Sequence, residues 1–266
     1  KIHRNNIKRV RNTEKHIYKA HVNSLHYPDC GGDGSFIDNS SSVSLDQWDV
    51  DFSRRQMVYS LWLYDGIQKN NNHKRNVFAL NTSITGSETG GGSAQVMSLQ
   101  IEGSNVSPRK LYVRFADGTK GSGNFRTWRS NLTIATGSWN HIIIATDGWM
   151  NVAPRIGING VNDSGVAHAF GSTGVKGRFE TDGGGKFTIG GPAYNYHLAN
   201  SWNDSQDDLR IDDFVMWQGT SSVTSLTASL GTAAMAELYN SGSWQDYNKT
   251  SLGRPYMYYT FDDLAD

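Results

Sequence analysis

The sequence predicts an all-β protein, two antiparallel layers packed as a sandwich or jelly roll. One short helix falls near the C-terminus and an extended basic arm precedes the body. Three observations carry this. The 266 residues include 29 Gly, 12 Tyr and 8 Trp but only 5 Pro, a turn-rich and aromatic-rich composition. Ten to twelve strand-like runs recur between turn signals. One segment alone, Thr232–Tyr239, reads convincingly as helix.

The elements follow in order. Residues 25–42 begin as loop, with Cys30-Gly31-Gly32-Asp33-Gly34 as a turn cluster. Alternation starts at Val43 and Leu45. Met57–Tyr64 is the first strong strand, bounded by Arg54-Arg55 and Asp65-Gly66. Val77–Leu80 follows, and a Gly/Ser loop over 86–93 leads into a strand over 94–101. Lys110–Phe115 alternates cleanly and turns at Asp117-Gly118, and Leu132–Ala135 is a short strand. Trp139–Thr146 carries a continuous apolar run, the mark of a strand covered on both faces. Arg155–Val161 contains Asn159-Gly160, a hairpin dipeptide suited to positive φ. Phe187–Gly191, Leu209–Trp217 and Tyr256–Phe261 complete the strands.

Composition excludes several classes. The single Cys30 leaves no intrachain disulfide and no cysteine-based zinc site. Mean hydropathy is −0.54. No apolar run exceeds four residues, as in Ile142–Ala145, so neither a membrane helix nor a secretory apolar core is visible. Lys1 stands first, as a processed terminus or a boundary within a longer chain.

Net charge is zero, yet unevenly spread. Residues 1–24 hold Lys1, Arg4, Lys8, Arg9, Arg11, Lys15 and Lys19 against Glu14 alone, a net +6, so the remainder carries −6. The division is a basic arm, 1–24, on an acidic domain, 25–266. Such an arm suits an acidic surface, a neighbouring copy of the chain, or solvent.

Four segments together resemble the laminin-G-like branch of the concanavalin A-like lectin/glucanase superfamily. Tyr59–Tyr64 is similar to the family's S-F-W-V strand. Trp139–Gly148 is similar to W-x-H-I-A-x-x-x-D-G. Ile156–Val161 is similar to L-Y-V-N-G-V. Phe187–Gly191, Arg210–Trp217 and Ala236–Asn240 follow the order F-x-I-G-G, I-D-E-V-x-I-Y, E-I-x-x-L-Y-N. The likeness spans roughly residues 36–262 and implies a concanavalin A-like jelly-roll β-sandwich. On that fold Trp62 and Trp139 suit the space between the sheets. His141 reads as a scaffold histidine, Asp212 as a carboxylate anchoring a turn, and Glu237 as a packing position.

The chemistry points away from catalysis. Glycoside hydrolysis needs two opposed carboxylates. The five glutamates, Glu14, Glu88, Glu102, Glu180 and Glu237, do not form the family's Glu-x-Asp-x-x-Glu pattern. No nucleophile elbow, His-Glu-x-x-His or phosphate loop is present. The chain is therefore read as no enzyme. Calcium is the one cofactor the resemblance implies, with Asp204, Asp207 and Asp208 as hard oxygen donors; a solvated acidic loop is the plainer reading. Sugar binding, frequent in the family, would use Tyr194, Tyr196, Trp202, Asn203 and Trp149; packing under loops or against another subunit is the alternative.

Two functional readings lead. The first is a structural or assembly component of a phage or viral virion (capsid decoration, tail or fibre), anchored through Arg4, Lys8, Arg9, Arg11, Lys15 and Lys19 to other subunits, copies of itself included. The second is a carbohydrate-binding adhesion module, secreted or on a cell surface. Nucleic acid ranks below both, because the arm's basic residues have little aromatic interleaving. Seven Asn-x-Ser/Thr sites (Asn39, Asn81, Asn105, Asn131, Asn162, Asn203, Asn248) matter only in a secreted eukaryotic chain.

Overall fold

The computed structural model describes residues 37–38, 56–66, 75–81, 95–102, 108–116, 125–147, 151–171, 186–189, 209–218, 231–255 and 257–259. In chain order the strands are β1 (Ile37–Asp38), β2 (Met57–Asp65), β3 (Arg75–Asn81), β4 (Gln95–Ile101), β5 (Arg109–Ala116), β6 (Phe125–Ile134) and β7 (Trp139–Thr146). They continue as β8 (Arg155–Ile158), β9 (Val161–Asn162), β10 (Ala167–Gly171), β11 (Lys186–Ile189), β12 (Leu209–Gln218) and β13 (Met257–Tyr259). The helix α1 is Thr232–Tyr239. The strands form two antiparallel sheets, ordered β1-β11-β3-β4-β5-β6-β10 and β13-β12-β2-β7-β8-β9. The architecture is the jelly-roll sandwich that the sequence predicts, with a short helix near its C-terminal end.

Alternation builds the core between the sheets. Met57, Tyr59, Leu61 and Leu63 of β2 face inward with Ile142 and Ile144 of β7 and Phe214 of β12. From the other sheet come Met97, Leu99 and Ile101 of β4, then Leu111, Val113 and Phe115 of β5. These side chains are almost wholly removed from water. Full burial of each is worth ~1.5–3 kcal/mol, set against the entropy of ordering it. A buried ion pair ties one sheet to the other. Arg109 Nη1, at the start of β5, donates to both carboxylate oxygens of Asp65, at the end of β2, at 2.7 and 2.6 Å.

The six-stranded sheet is covered on its outer face as well. Val58, Ile143, Val215 and Trp217 point away from the inter-sheet core and pack under Met235 and Leu238 of α1 and under Tyr247. That explains the unbroken Ile142–Ile144 run: Ile142 and Ile144 face one core, Ile143 the other. Gly157 of β8 lets α1 seat closely, because a Cβ there would lie 2.8 Å from Met235 Sδ. Asn159 and Gly160 turn the β8–β9 hairpin with φ of 50° and 78°, as the Asn-Gly dipeptide predicts.

Two expectations need correction. Neither Trp62 nor Trp139 lies between the sheets. With Leu61 and Leu63 inward, period-two alternation sends Trp62 outward, where its ring meets His141 at 5.0 Å and Tyr239 at 5.9 Å. Trp139 shares the outward row of His141 and Ile143; it is 42% exposed, its ring 5.6 Å from Tyr64. Among the described residues, the tryptophan of the inter-sheet core is Trp128, on β6. The strand expected over Leu132–Ala135 is the end of this longer β6. Asp212 behaves as expected: its Oδ1 accepts the Asp213 N–H at 2.8 Å, beside a bulge where Asp213 takes φ of 45°.

Candidate functional site

Two polar clusters carry side chains that could do chemistry. The first is on the outer face of the six-stranded sheet. Ser60 Oγ and His141 Nε2 are 2.8 Å apart, the pairing of a nucleophile and a base. Both residues are fully buried, under Trp62 and Tyr239. Burial pushes the His141 ring down to about 3 from 6.5, so it stays neutral. Among the described residues its Nδ1 has no partner, so none of them orients the ring as a third triad member would. The Asn159 side chain instead accepts the His141 backbone N–H at 2.8 Å. The pair is closed off from water and links β2 to β7.

The second cluster is open. A groove of about 420 Å³ lies at the β5–β6–β10 end of the seven-stranded sheet. Ligand pockets run to roughly 300–1,000 Å³. Its walls come from the outward row of β5, Lys110 and Tyr112, from Arg129 and Asn131 of β6, and from Phe170 of β10. Alternation with the buried Leu111 and Val113 puts Lys110 and Tyr112 on this face.

Phe170 arrives there through a bulge. His168 pairs with Trp128 and Phe170 with the next residue back, Thr127, so Ala169 is the extra residue on β10. In a regular, unbulged strand Phe170, two residues past His168, would share its inward side. With the bulge the Phe170 ring stacks on Tyr112 at 5.9 Å and 25°, and stays 48% exposed. Asp163 holds this margin in place. Its Oδ2 accepts the N–H groups of Asn131 (2.6 Å) and Leu132 (2.9 Å), and its Oδ1 accepts that of Gly165 (2.8 Å). A Cβ on Gly165 would stand 2.6 Å from Asn131 Cβ, so only glycine allows this approach.

Glu102 organises the polar wall. Its Oε1 accepts the Tyr112 hydroxyl and Arg129 Nη2, each at 3.0 Å, and its Oε2 accepts the Lys110 backbone N–H at 3.1 Å. The Arg129 guanidinium also lies 5.8 Å from the Tyr112 ring centre. Burial raises the Tyr112 hydroxyl above its ordinary range, with the Glu102 hydrogen bond adding to it. The result is one open aromatic face, Phe170 on the buried Tyr112, edged by two cations.

Every site residue named from sequence lies outside the described residues. These are Tyr194, Tyr196, Trp202, Asn203 and Trp149, the acidic Asp204, Asp207 and Asp208, and the arm residues Arg4, Lys8, Arg9, Arg11, Lys15 and Lys19. The groove residues were not singled out. Lys110 and Tyr112 were visible as the polar row of a cleanly alternating strand. Phe170 was not, because a bulge leaves no trace in the period.

No family model matches the sequence, and no curated protein matches it. Among solved structures, the chain is similar to the binding domain of Paraclostridial Mosquitocidal Protein 1 (15% identity, TM-score 0.48, 84% of this chain and 46% of that one). It is similar also to the botulinum neurotoxin serotype G binding domain (12%, TM-score 0.43, 71% and 36%). A third is the native heptameric SAP-like pentraxin from Limulus polyphemus (12%, TM-score 0.40, 70% of each chain). The chain thus spans less than half the length of the two toxin structures.

Proposed function

We propose that this chain is a non-catalytic, saccharide-binding β-sandwich module whose ligand lies in the β5–β6–β10 groove. The observation that carries the reading is the Phe170 ring, half open to water, stacked on the buried Tyr112 and flanked by Lys110 and Arg129. Aromatic faces take sugar C–H surfaces, while the charged rim fixes orientation. Two carboxylates stand beside this groove, Glu102 and Asp163, and each already accepts three hydrogen bonds from the protein. Cleavage of a glycosidic bond uses a pair that faces the ligand. A glycan array probed with the parent chain and with Phe170→Ala tests the reading. Binding to a defined glycan class, lost in the variant, supports it; a blank array, or binding unchanged by the substitution, rejects it.

A second reading rests on a different observation. The +6 arm set against a −6 remainder favours self-complementary assembly. It fits a laminin-G-like structural component of a phage or viral virion. Deleting residues 1–24 and measuring sedimentation tests this: loss of assembly supports it, and unchanged assembly removes it.

A further inference from the structure

We infer, building on the saccharide reading, that the groove selects acidic saccharides, with a ligand carboxylate or sulfate held by the Lys110 ammonium and the remaining N–H groups of Arg129. The argument is a census of donors and acceptors. Both Glu102 oxygens are engaged by Tyr112, Arg129 and the Lys110 backbone. Ser130 is saturated too: its Oγ accepts the Leu111 N–H at 2.9 Å and donates to the Leu132 carbonyl at 2.7 Å. The carboxylate and hydroxyl acceptors on this wall are therefore committed within the protein, which leaves the Asn131 side-chain amide as an acceptor at the groove.

The donors are not. Among the described residues Lys110 makes no ion pair, so its ammonium keeps three N–H groups to offer. Among the described residues Arg129 is bound to Glu102 through Nη2 alone, and its side chain is 41% exposed. Glu102 is paired with Arg129 and the buried Asp163 is spent on three backbone N–H groups, so the charge left facing the groove is the Lys110 ammonium with the outer part of the Arg129 guanidinium. A neutral sugar hydroxyl needs acceptors as well as donors, and here it would find few. An anionic group needs donors only, and charge-assisted hydrogen bonds to it are the stronger kind. The Phe170 face supplies the apolar contact that distinguishes a saccharide ring from a bare anion.

The test uses the full chain in calorimetric titrations with three probes of equal ring count: trigalacturonate, galactotriose and a sulfated galactotriose. The expected result is an acidic probe bound at least ~10-fold more tightly than galactotriose at 50 mM salt. That margin shrinks at 500 mM as the charges are screened. Lys110→Gln is expected to remove most of the preference while leaving the melting temperature in place, and Arg129→Lys to retain more of it than Arg129→Gln. A preference for trigalacturonate over the sulfated probe, or the reverse, identifies the anion. Equal affinity for all three probes overturns the acidic selectivity and leaves the saccharide reading standing. No binding of any probe overturns both.

Discussion

The two outer faces of the sandwich carry similar chemistry under opposite conditions. On the six-stranded sheet, Ser60, His141, Trp62 and Tyr239 assemble what resembles reactive machinery, yet α1 and its flanking turns exclude water and ligand. On the seven-stranded sheet, Tyr112 and Glu102 are themselves covered, but the Phe170 and Arg129 side chains that they hold in place are open. The comparison teaches that access, more than residue type, separates a site from a core. A Ser–His contact at 2.8 Å is a packing device when nothing can reach it. An aromatic pair becomes a binding surface when a bulge turns one ring to solvent.

Substitutions can break that contrast or sharpen it. The largest stability effect is expected on the covered face. Met235→Ala opens a void between α1 and the sheet and is expected to cost ~2–5 kcal/mol in urea denaturation. A cost under ~1 kcal/mol would mean that α1 does not seal the face.

His141 gives a second contrast through pH. Its ring is held to about 3 by burial, against 6.5 unperturbed. As pH falls, the unfolded chain therefore takes up the proton first. The stability contributed is fully present above pH 6.5 and lost toward pH 3, at up to ~1.4 kcal/mol per pH unit. Stability measured from pH 7 to 4 should fall, and His141→Gln should flatten that slope. An unchanged slope in the variant would show that His141 is not held neutral.

Asp163→Ala should act on the open face at a smaller cost. It strands three backbone N–H groups, but Asn131 and Gly165 are exposed enough for water to replace the carboxylate, so the expected cost is that of about one unsatisfied donor, ~1–3 kcal/mol, and saccharide binding should weaken as the β10 margin loosens. Full binding in a destabilised variant would detach the margin from the site. Phe170→Ala should be the mildest in stability, within about 1 kcal/mol, because the ring is half exposed. It should nonetheless remove most of the affinity. A variant that binds normally would contradict a binding role for the open Phe170 face.

Much of the fold was legible. Gly and aromatic content, the Asn159-Gly160 turn and the apolar β7 run all report local physics that the tertiary structure keeps. α1 was legible from Thr232–Tyr239 alone. The tryptophans were misplaced because hydrophobicity says that a side chain is covered, not which layer covers it. Trp62 is partly covered, but by Tyr239 and His141 on the outer face. The groove was half legible. Lys110 and Tyr112 show in the alternation of β5, whereas Phe170 depends on a one-residue register shift and Arg129 on a pairing between β5 and β6. Neither shift nor pairing is written in local sequence.

One measurement weighs the two faces together. Amide chemical shifts recorded while trigalacturonate is titrated into the full chain should move at Tyr112, Arg129 and Phe170 and stay fixed at Trp62 and His141. Shifts confined to the Trp62–His141 side, with the β5–β6–β10 groove silent, would contradict the account.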